Sequence, residues 1–82
     1  MASPVAAVVE VAARALVDVP EKVTVIETPQ RGTTVVELTV AQGDTGKVIG
    51  RQGRIADALR TLVAATAQYH GIRATLEIRD PE

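Results

Sequence analysis

Residues 48–55 read VIGRQGRI, in which two glycines enclose two polar residues and an isoleucine lies on each side. If Ile49 and Ile55 anchor two helices in a core, the four residues from Gly50 to Gly53 must form a tight turn at the surface. Glycine suits such a turn, because it adopts positive φ and lets another backbone approach closely. The stretch therefore predicts two helices joined by an exposed turn over residues 50–53, which we call the GXXG turn.

The helices on either side of this turn are indicated by caps and by apolar spacing. Asp44 can cap a short helix over residues 45–49, which Gly50 ends. A second helix is expected to begin near Arg54 and to end at Gly71. Its apolar positions at helical spacing predict one buried stripe. That stripe comprises Ile55, Leu59, Leu62, Val63 and Tyr69.

The segment before residue 42 predicts one helix and one hairpin. Ser3 is a good helix cap, and the apolar spacing that follows it predicts an amphipathic helix that ends near Asp18. Residues 22–28 and 33–40 are rich in β-branched side chains, which favour strands. The turn signal at residues 29–32 lies between them, so the two strands should pair in antiparallel fashion.

Residues 72–79 alternate between apolar and polar side chains, which is the period of a half-buried strand. Because two consecutive helices join the second strand to the third, a right-handed crossover should make these strands parallel. The expected fold is α+β in the order α-β-β-α-α-β, a three-stranded mixed sheet with helices packed on one face. The other face should be wet, with polar residues such as Glu37, Thr39, Arg73 and Glu77.

Length and composition fit a single globular domain over residues 1–82. Of the 82 residues, 46% are hydrophobic and 23% are charged, a balance typical of folded proteins. The absence of cysteine excludes disulfides and thiolate zinc sites and fits a reducing compartment. The apolar stretch over residues 5–17 is shorter than the roughly 20 residues of a membrane span and lacks the positive flank of a secretion signal. We therefore expect a cytoplasmic protein without a membrane partner.

The charge pattern places positive potential at the GXXG turn. A net charge of −1 argues against a general polyanion binder, which would usually be strongly basic. Residues 46–56, however, contain Lys47, Arg51 and Arg54 and no acid. The second helix starts directly after the turn, so free amides around Gly53 and Arg54 should attract an anion, most naturally phosphate.

Other kinds of chemistry find no support in the sequence. One histidine, His70, and scattered carboxylates make neither a metal cluster nor a nucleophile paired with a base, so we expect no cofactor and no catalysis. Gly46 and Lys47 are similar to part of a phosphate-binding P-loop, but that motif requires glycine at position 41 and serine or threonine at position 48. Ala41 and Val48 occupy those positions, so the motif is not present. The single aromatic residue, Tyr69, falls on the predicted buried stripe, which leaves no ring for stacking bases.

The stretch DTGKVIGRQGRI at residues 44–55, with ALRTLV at residues 58–63, resembles the KH domain. In KH domains a GXXG loop joins two helices and clamps a short length of single-stranded nucleic acid. The order α-β-β-α-α-β resembles the type II form, which is common in bacterial proteins. The resemblance covers nearly the whole chain, as in small bacterial proteins that consist of little more than one KH domain.

This resemblance implies a non-catalytic RNA-binding protein that clamps single-stranded RNA, as an RNA chaperone or post-transcriptional regulator. It also implies a homodimer and association with a larger KH partner of the Jag type. The turn should face the nucleotide backbone, nearby cations should assist, and apolar residues should form the walls of a base groove. The implied residues of the turn are Gly50, Arg51, Gln52 and Gly53. The assisting cations are Lys47 and Arg54, and the groove walls are Val48, Ile49 and Ile55.

A second interpretation belongs to another functional class. The KH-like fold could serve as a protein-interaction module, with dimerisation as its main role and RNA binding incidental. Exposed apolar side chains around Ile49 and Ile55 would favour this interpretation, since a soluble monomer rarely leaves large apolar patches uncovered.

Overall fold

The computed structural model describes residues 3–81, so residues 1, 2 and 82 of the expected domain lie outside the described part of the chain. Short 3-10 turns precede β1 and α2 and connect α2 to α3. Within residues 3–81 no helix is both long enough and apolar enough to cross a bilayer. The helices and strands are α1 (Pro4–Leu16), β1 (Thr24–Gln30), β2 (Thr33–Thr39), α2 (Thr45–Ile49), α3 (Arg54–Tyr69) and β3 (Ala74–Arg79).

The sheet confirms the predicted α+β architecture. Its strand order is β1-β2-β3, with β2 antiparallel to β1 and parallel to β3. Val36 and Leu38 of the central strand are completely buried, while Glu37 between them lies on the opposite face. There Arg79 pairs with Glu37 at 3.1 Å and with Glu77 at 2.9 Å. The helices cover one face, and the other carries charged residues as expected.

The core lies between the central strand and the two long helices. α1 and α3 each contribute small or branched residues at intervals of four, which places them on one helix face. Tight packing of small residues lets both helices approach the sheet closely. The main buried residues are Val5, Val9 and Ala13 of α1, Leu59, Val63 and Ala67 of α3, Val36 and Leu38 of β2, Val48 of α2 and Leu76 of β3.

The hairpin turn is tighter than the sequence predicted. β1 runs over Thr24–Gln30 rather than residues 22–28, because Gln30 still pairs with Thr33. Only Arg31 and Gly32 remain in the turn, with φ of 49° and 80°. Two central residues with positive φ are typical of a two-residue hairpin, whose backbone twist matches the twist of the flanking strands.

The largest departure from the sequence analysis concerns Tyr69. The sequence analysis placed both Tyr69 and Leu62 on the buried stripe of α3. In the structure Tyr69 is 86% exposed and Leu62 is 46% exposed. The buried residues of α3 are Ala56, Leu59, Val63 and Ala67. At about 100° per residue, Tyr69 lies roughly on the opposite side of the helix from Ala67. The buried face therefore combines Leu59 and Val63 of the predicted stripe with two small alanines, and it excludes Leu62 and Tyr69.

Asp44 has a different role from the predicted helix cap. It precedes α2, but its side chain makes no capping hydrogen bond. Its carboxylate instead accepts hydrogen bonds from the backbone N–H groups of Asp18 and Val19, at 3.1 and 2.9 Å. Asp44 is 3% exposed, so it fastens the segment after α1 to the start of α2 from inside the protein.

We expect Asp44→Ala to destabilise the fold, because it leaves two backbone donors without an acceptor. Loss of a buried partner typically costs about 1–3 kcal/mol of unfolding free energy. Asp18→Ala is the control, since that side chain is 74% exposed and contributes to a surface ion pair worth at most about 1 kcal/mol. Urea unfolding of both variants measures the difference, and equal losses would contradict the proposed role of Asp44.

Candidate nucleic-acid interface

The GXXG turn is built on left-handed backbone conformations. Gly50 ends α2 with φ of 77°, and its N–H donates to the carbonyl of Gly46 at 2.9 Å. Gln52 and Gly53 follow with φ of 57° and 74°. A Cβ atom on Gly50 would lie only 2.7 Å from Cγ1 of Ile55, whereas one on Gly53 would meet open space. Position 50 therefore requires glycine for two reasons, the positive φ of its backbone and the close approach of Ile55.

Alanine at these two glycines should separate the two requirements. Gly53→Ala introduces only the left-handed strain of about 1–2 kcal/mol. Gly50→Ala adds a steric clash with Ile55, for which overpacking typically costs a further 1–3 kcal/mol or so. Thermal unfolding should therefore show a larger drop in Tm for Gly50→Ala. Equal drops would mean that the close approach of Ile55 does not constrain the turn.

The free amides of the turn differ from the sequence prediction. The N–H groups of Gly53 and Arg54 were expected to be free, but they donate to the carbonyls of Gly50, at 3.1 Å, and Arg51. These bonds close the single 3-10 turn. In residues 3–81, the backbone N–H groups of Arg51 and Gln52 have no protein acceptor. The available donors therefore belong to the two residues between the glycines, both of which are exposed.

The fold also redistributes the charge around the turn. Arg51 and Arg54 are exposed, and Nη2 of Arg54 lies 3.4 Å from Oε1 of Gln52. Nζ of Lys47 instead lies 3.1 Å from Asp18 and 3.7 Å from Asp44. A hydrogen bond and attraction from Asp18, with a smaller contribution from Asp44, raise the pKa of Lys47. Lys47 remains a cation, but its charge is balanced, so the arginines carry the positive potential of the turn.

The three predicted groove residues lie at different depths. Val48 is completely buried and is the one buried side chain of the short helix α2, so it supports the site from the core and does not reach its surface. Ile49 and Ile55 are half-buried. Ile55 also lines an apolar hollow of about 430 Å³ between α1 and α3, together with Leu16 and Leu62.

This hollow is part of a wider apolar surface, which includes Ile55 and Leu62 of the stripe that was predicted to be buried. A second hollow of about 400 Å³ adjoins it along α1, and Ala12 lines both. Val11 is 70% exposed there. We call this surface the α1–α3 face and define it by its apolar residues. They are Val8, Val11, Ala12, Leu16, Ile55, Ala58 and Leu62.

The element order, the mixed sheet and the GXXG turn between α2 and α3 define a type II KH-like domain. The family model described as "KhpA/KhpB, KH domain" matches residues 6–78. The chain therefore belongs to the KhpA/KhpB family of KH domains.

Curated bacterial relatives agree with this assignment. The chain is 54% identical to the RNA-binding protein KhpA of Treponema pallidum over 68 residues, which cover 83% of this chain and 85% of the relative. It is 49% identical to the RNA-binding protein KhpA of Aquifex aeolicus over 71 residues, or 87% and 90% of the two chains. The similarity thus extends over nearly the full length of both relatives.

One solved structure supports the fold independently of close sequence similarity. It is a crystal structure of an Aquifex aeolicus Era variant bound to GDP and aluminium fluoride, with a TM-score of 0.62 at 19% sequence identity. The alignment covers 93% of this chain and 29% of the Era chain. At this identity the comparison concerns the fold alone.

Proposed function

We propose that this protein binds single-stranded RNA through the GXXG turn and catalyses no reaction. The observation that carries the proposal is the pair of unpartnered backbone N–H groups at Arg51 and Gln52, beside the exposed guanidiniums of Arg51 and Arg54. Such a combination of amides and cations suits phosphate oxygens. The names of the bacterial KhpA relatives support RNA as the ligand.

The chemistry of the turn predicts weak, sequence-tolerant binding. Amides and guanidiniums at this site should bind the sugar-phosphate backbone, which carries no sequence information directly. With the charge of Lys47 balanced by two acids, we expect about two neutralised phosphates. Each neutralised phosphate of a single strand contributes roughly −0.7 to the slope of log affinity against log salt concentration. We therefore expect a slope of about −1.4.

These properties fit a protein that contacts many RNAs rather than one sequence. We therefore propose a role as an RNA chaperone or post-transcriptional regulator in the bacterial cytoplasm, where such RNAs are made and translated. The bacterial origin of the relatives supports the setting, and the limited chemistry of the GXXG turn supports broad ligand choice.

The double variant Arg51→Asp with Gln52→Asp tests this proposal. Both side chains are exposed, and aspartate tolerates the left-handed conformation of Gln52 better than most residues, so folding should be preserved. Repulsion of phosphate and loss of a charged hydrogen bond, typically about 1.5–3 kcal/mol, should weaken binding at least about tenfold. Fluorescence anisotropy of a labelled RNA tetranucleotide, at two salt concentrations, measures the effect.

A matched control changes net charge equally at a distance from the turn. Lys22→Asp with Gln30→Asp alters a cation and a glutamine that are likewise exposed, next to and within β1. This variant should bind the tetranucleotide nearly as well as the wild type. Unchanged binding by the Arg51 and Gln52 double variant, with circular dichroism showing a native fold, would refute the clamp.

The α1–α3 face supports a second role, and we propose that it joins two copies of this chain. Val11, Leu16 and Leu62 are large apolar side chains with 70%, 38% and 46% of their surface exposed. A contiguous apolar surface of this kind on a small domain is typical of an interaction site. The interaction-module interpretation expected exposed apolar side chains around Ile49 and Ile55; the face includes Ile55 but not Ile49, and its most exposed member, Val11, is on α1.

Sedimentation equilibrium of Val11→Lys tests this assembly. A buried ammonium at the centre of an apolar interface is strongly unfavourable, so the dimer should dissociate at least about tenfold more readily. Ile26→Lys is the control, because Ile26 is also exposed, at 53%, but lies on the opposite sheet face beside Glu37. A monomeric wild-type protein would refute the homodimer and leave a larger KH protein of the Jag type as the candidate occupant.

A further inference from the structure

The end of α3 presents the aromatic surface that the sequence analysis had placed in the core. Tyr69 is 86% exposed, and its ring packs edge to face against that of His70, with centroids 5.1 Å apart and an angle of 82°. One face of a tyrosine ring exposed to this degree is accessible to a flat ligand. Ile72, two residues beyond His70, is 43% exposed and extends the apolar part of this surface.

The backbone beneath this ring is fixed by a closed helix end. Gly71 adopts φ of 70°, its N–H donates to the carbonyl of Gln68 at 3.1 Å, and the N–H of Ile72 donates to that of Ala67 at 2.9 Å. This pair of bonds around a left-handed glycine is the Schellman motif, which satisfies the last carbonyls of a helix. The backbone that carries Tyr69 and His70 is therefore well defined, and ordering it on binding costs little entropy.

Two segments that meet next to the end of α3 contain arginines and no acid. The carbonyl of Arg73 accepts a hydrogen bond from the N–H of Thr34 at 2.9 Å, so the loop before β3 lies beside the β1–β2 hairpin. These segments, residues 28–36 and 66–76, contain the cations Arg31 and Arg73 but neither aspartate nor glutamate. At the GXXG turn, by contrast, acids lie close to Lys47.

We propose that Tyr69 is a stacking platform for a base of the same RNA strand, with Arg31 and Arg73 attracting the adjacent phosphates. The inference rests on the proposed RNA-binding function and deepens it. An exposed ring can stack on any base, and cations beside it complement the strand. α3 has 16 residues and spans about 24 Å, so only a strand longer than the clamped tetranucleotide should reach both ends.

The experiment compares an RNA tetranucleotide with an RNA decanucleotide. Tyr69 is the single tyrosine in a chain without tryptophan, so intrinsic tyrosine emission reports on this ring alone. The decanucleotide should quench that emission, and the tetranucleotide should not. Tyr69→Ala should weaken decanucleotide binding about 5- to 150-fold, the effect of losing one stacked base, and should leave tetranucleotide binding unchanged.

Two further variants make the result specific. Tyr69→Phe keeps the ring and should retain decanucleotide affinity, whereas Gln68→Ala, a change at the exposed neighbouring residue, should have no effect. Equal decanucleotide affinity for wild type and Tyr69→Ala, with unquenched emission, would overturn the stacking site alone. Failure of the clamp has a different signature, because the tetranucleotide would then bind the wild type and the Arg51 and Gln52 double variant equally.

Discussion

The contact between Gly50 and Ile55 is the constraint on which the rest of the site depends. Because Gly50 has no side chain, Ile55 can pack so closely against it that a Cβ atom on residue 50 would lie only 2.7 Å from Cγ1 of Ile55. α2 and α3 can then meet through a single 3-10 turn. This tight connection uses the amides of Gly53 and Arg54 internally and leaves those of Arg51 and Gln52 free. The packing of Ile55 against Gly50 thus determines which donors reach solvent.

The balance of charges differs between the GXXG turn and the opposite end of α3, and the net charge of the chain does not show this difference. The GXXG turn has more cations in its sequence, but the fold places Asp18 and Asp44 against Lys47. The opposite end has fewer cations, yet the segments that meet there contain no acid. A chain with a net charge of −1 can therefore have two regions in which arginines are not balanced by acids, one beside the free amides of the turn and the other near an exposed aromatic ring.

Much of the architecture could be predicted because it depends on short-range patterns. Alternation in residues 72–79, β-branched runs before residue 41 and the glycines around Arg51 and Gln52 each indicate an element directly. The handedness rule then supplied the parallel pairing of β2 with β3. The same patterns failed for Tyr69, because helical spacing identifies a stripe but not which of two overlapping stripes is buried. Here the stripe that contains the small residues Ala56 and Ala67 is the buried one.

The sequence by itself determined the element order, the α+β class and the position of the turn, because each follows from residues close together along the chain. Only the tertiary structure decided the partners of Lys47, the depth of Val48 and the exposure of Tyr69. Asp18 and Lys47 are 29 residues apart in the sequence and 3.1 Å apart in the folded protein. Charge balance and burial depend on such distant neighbours, and no local pattern records them.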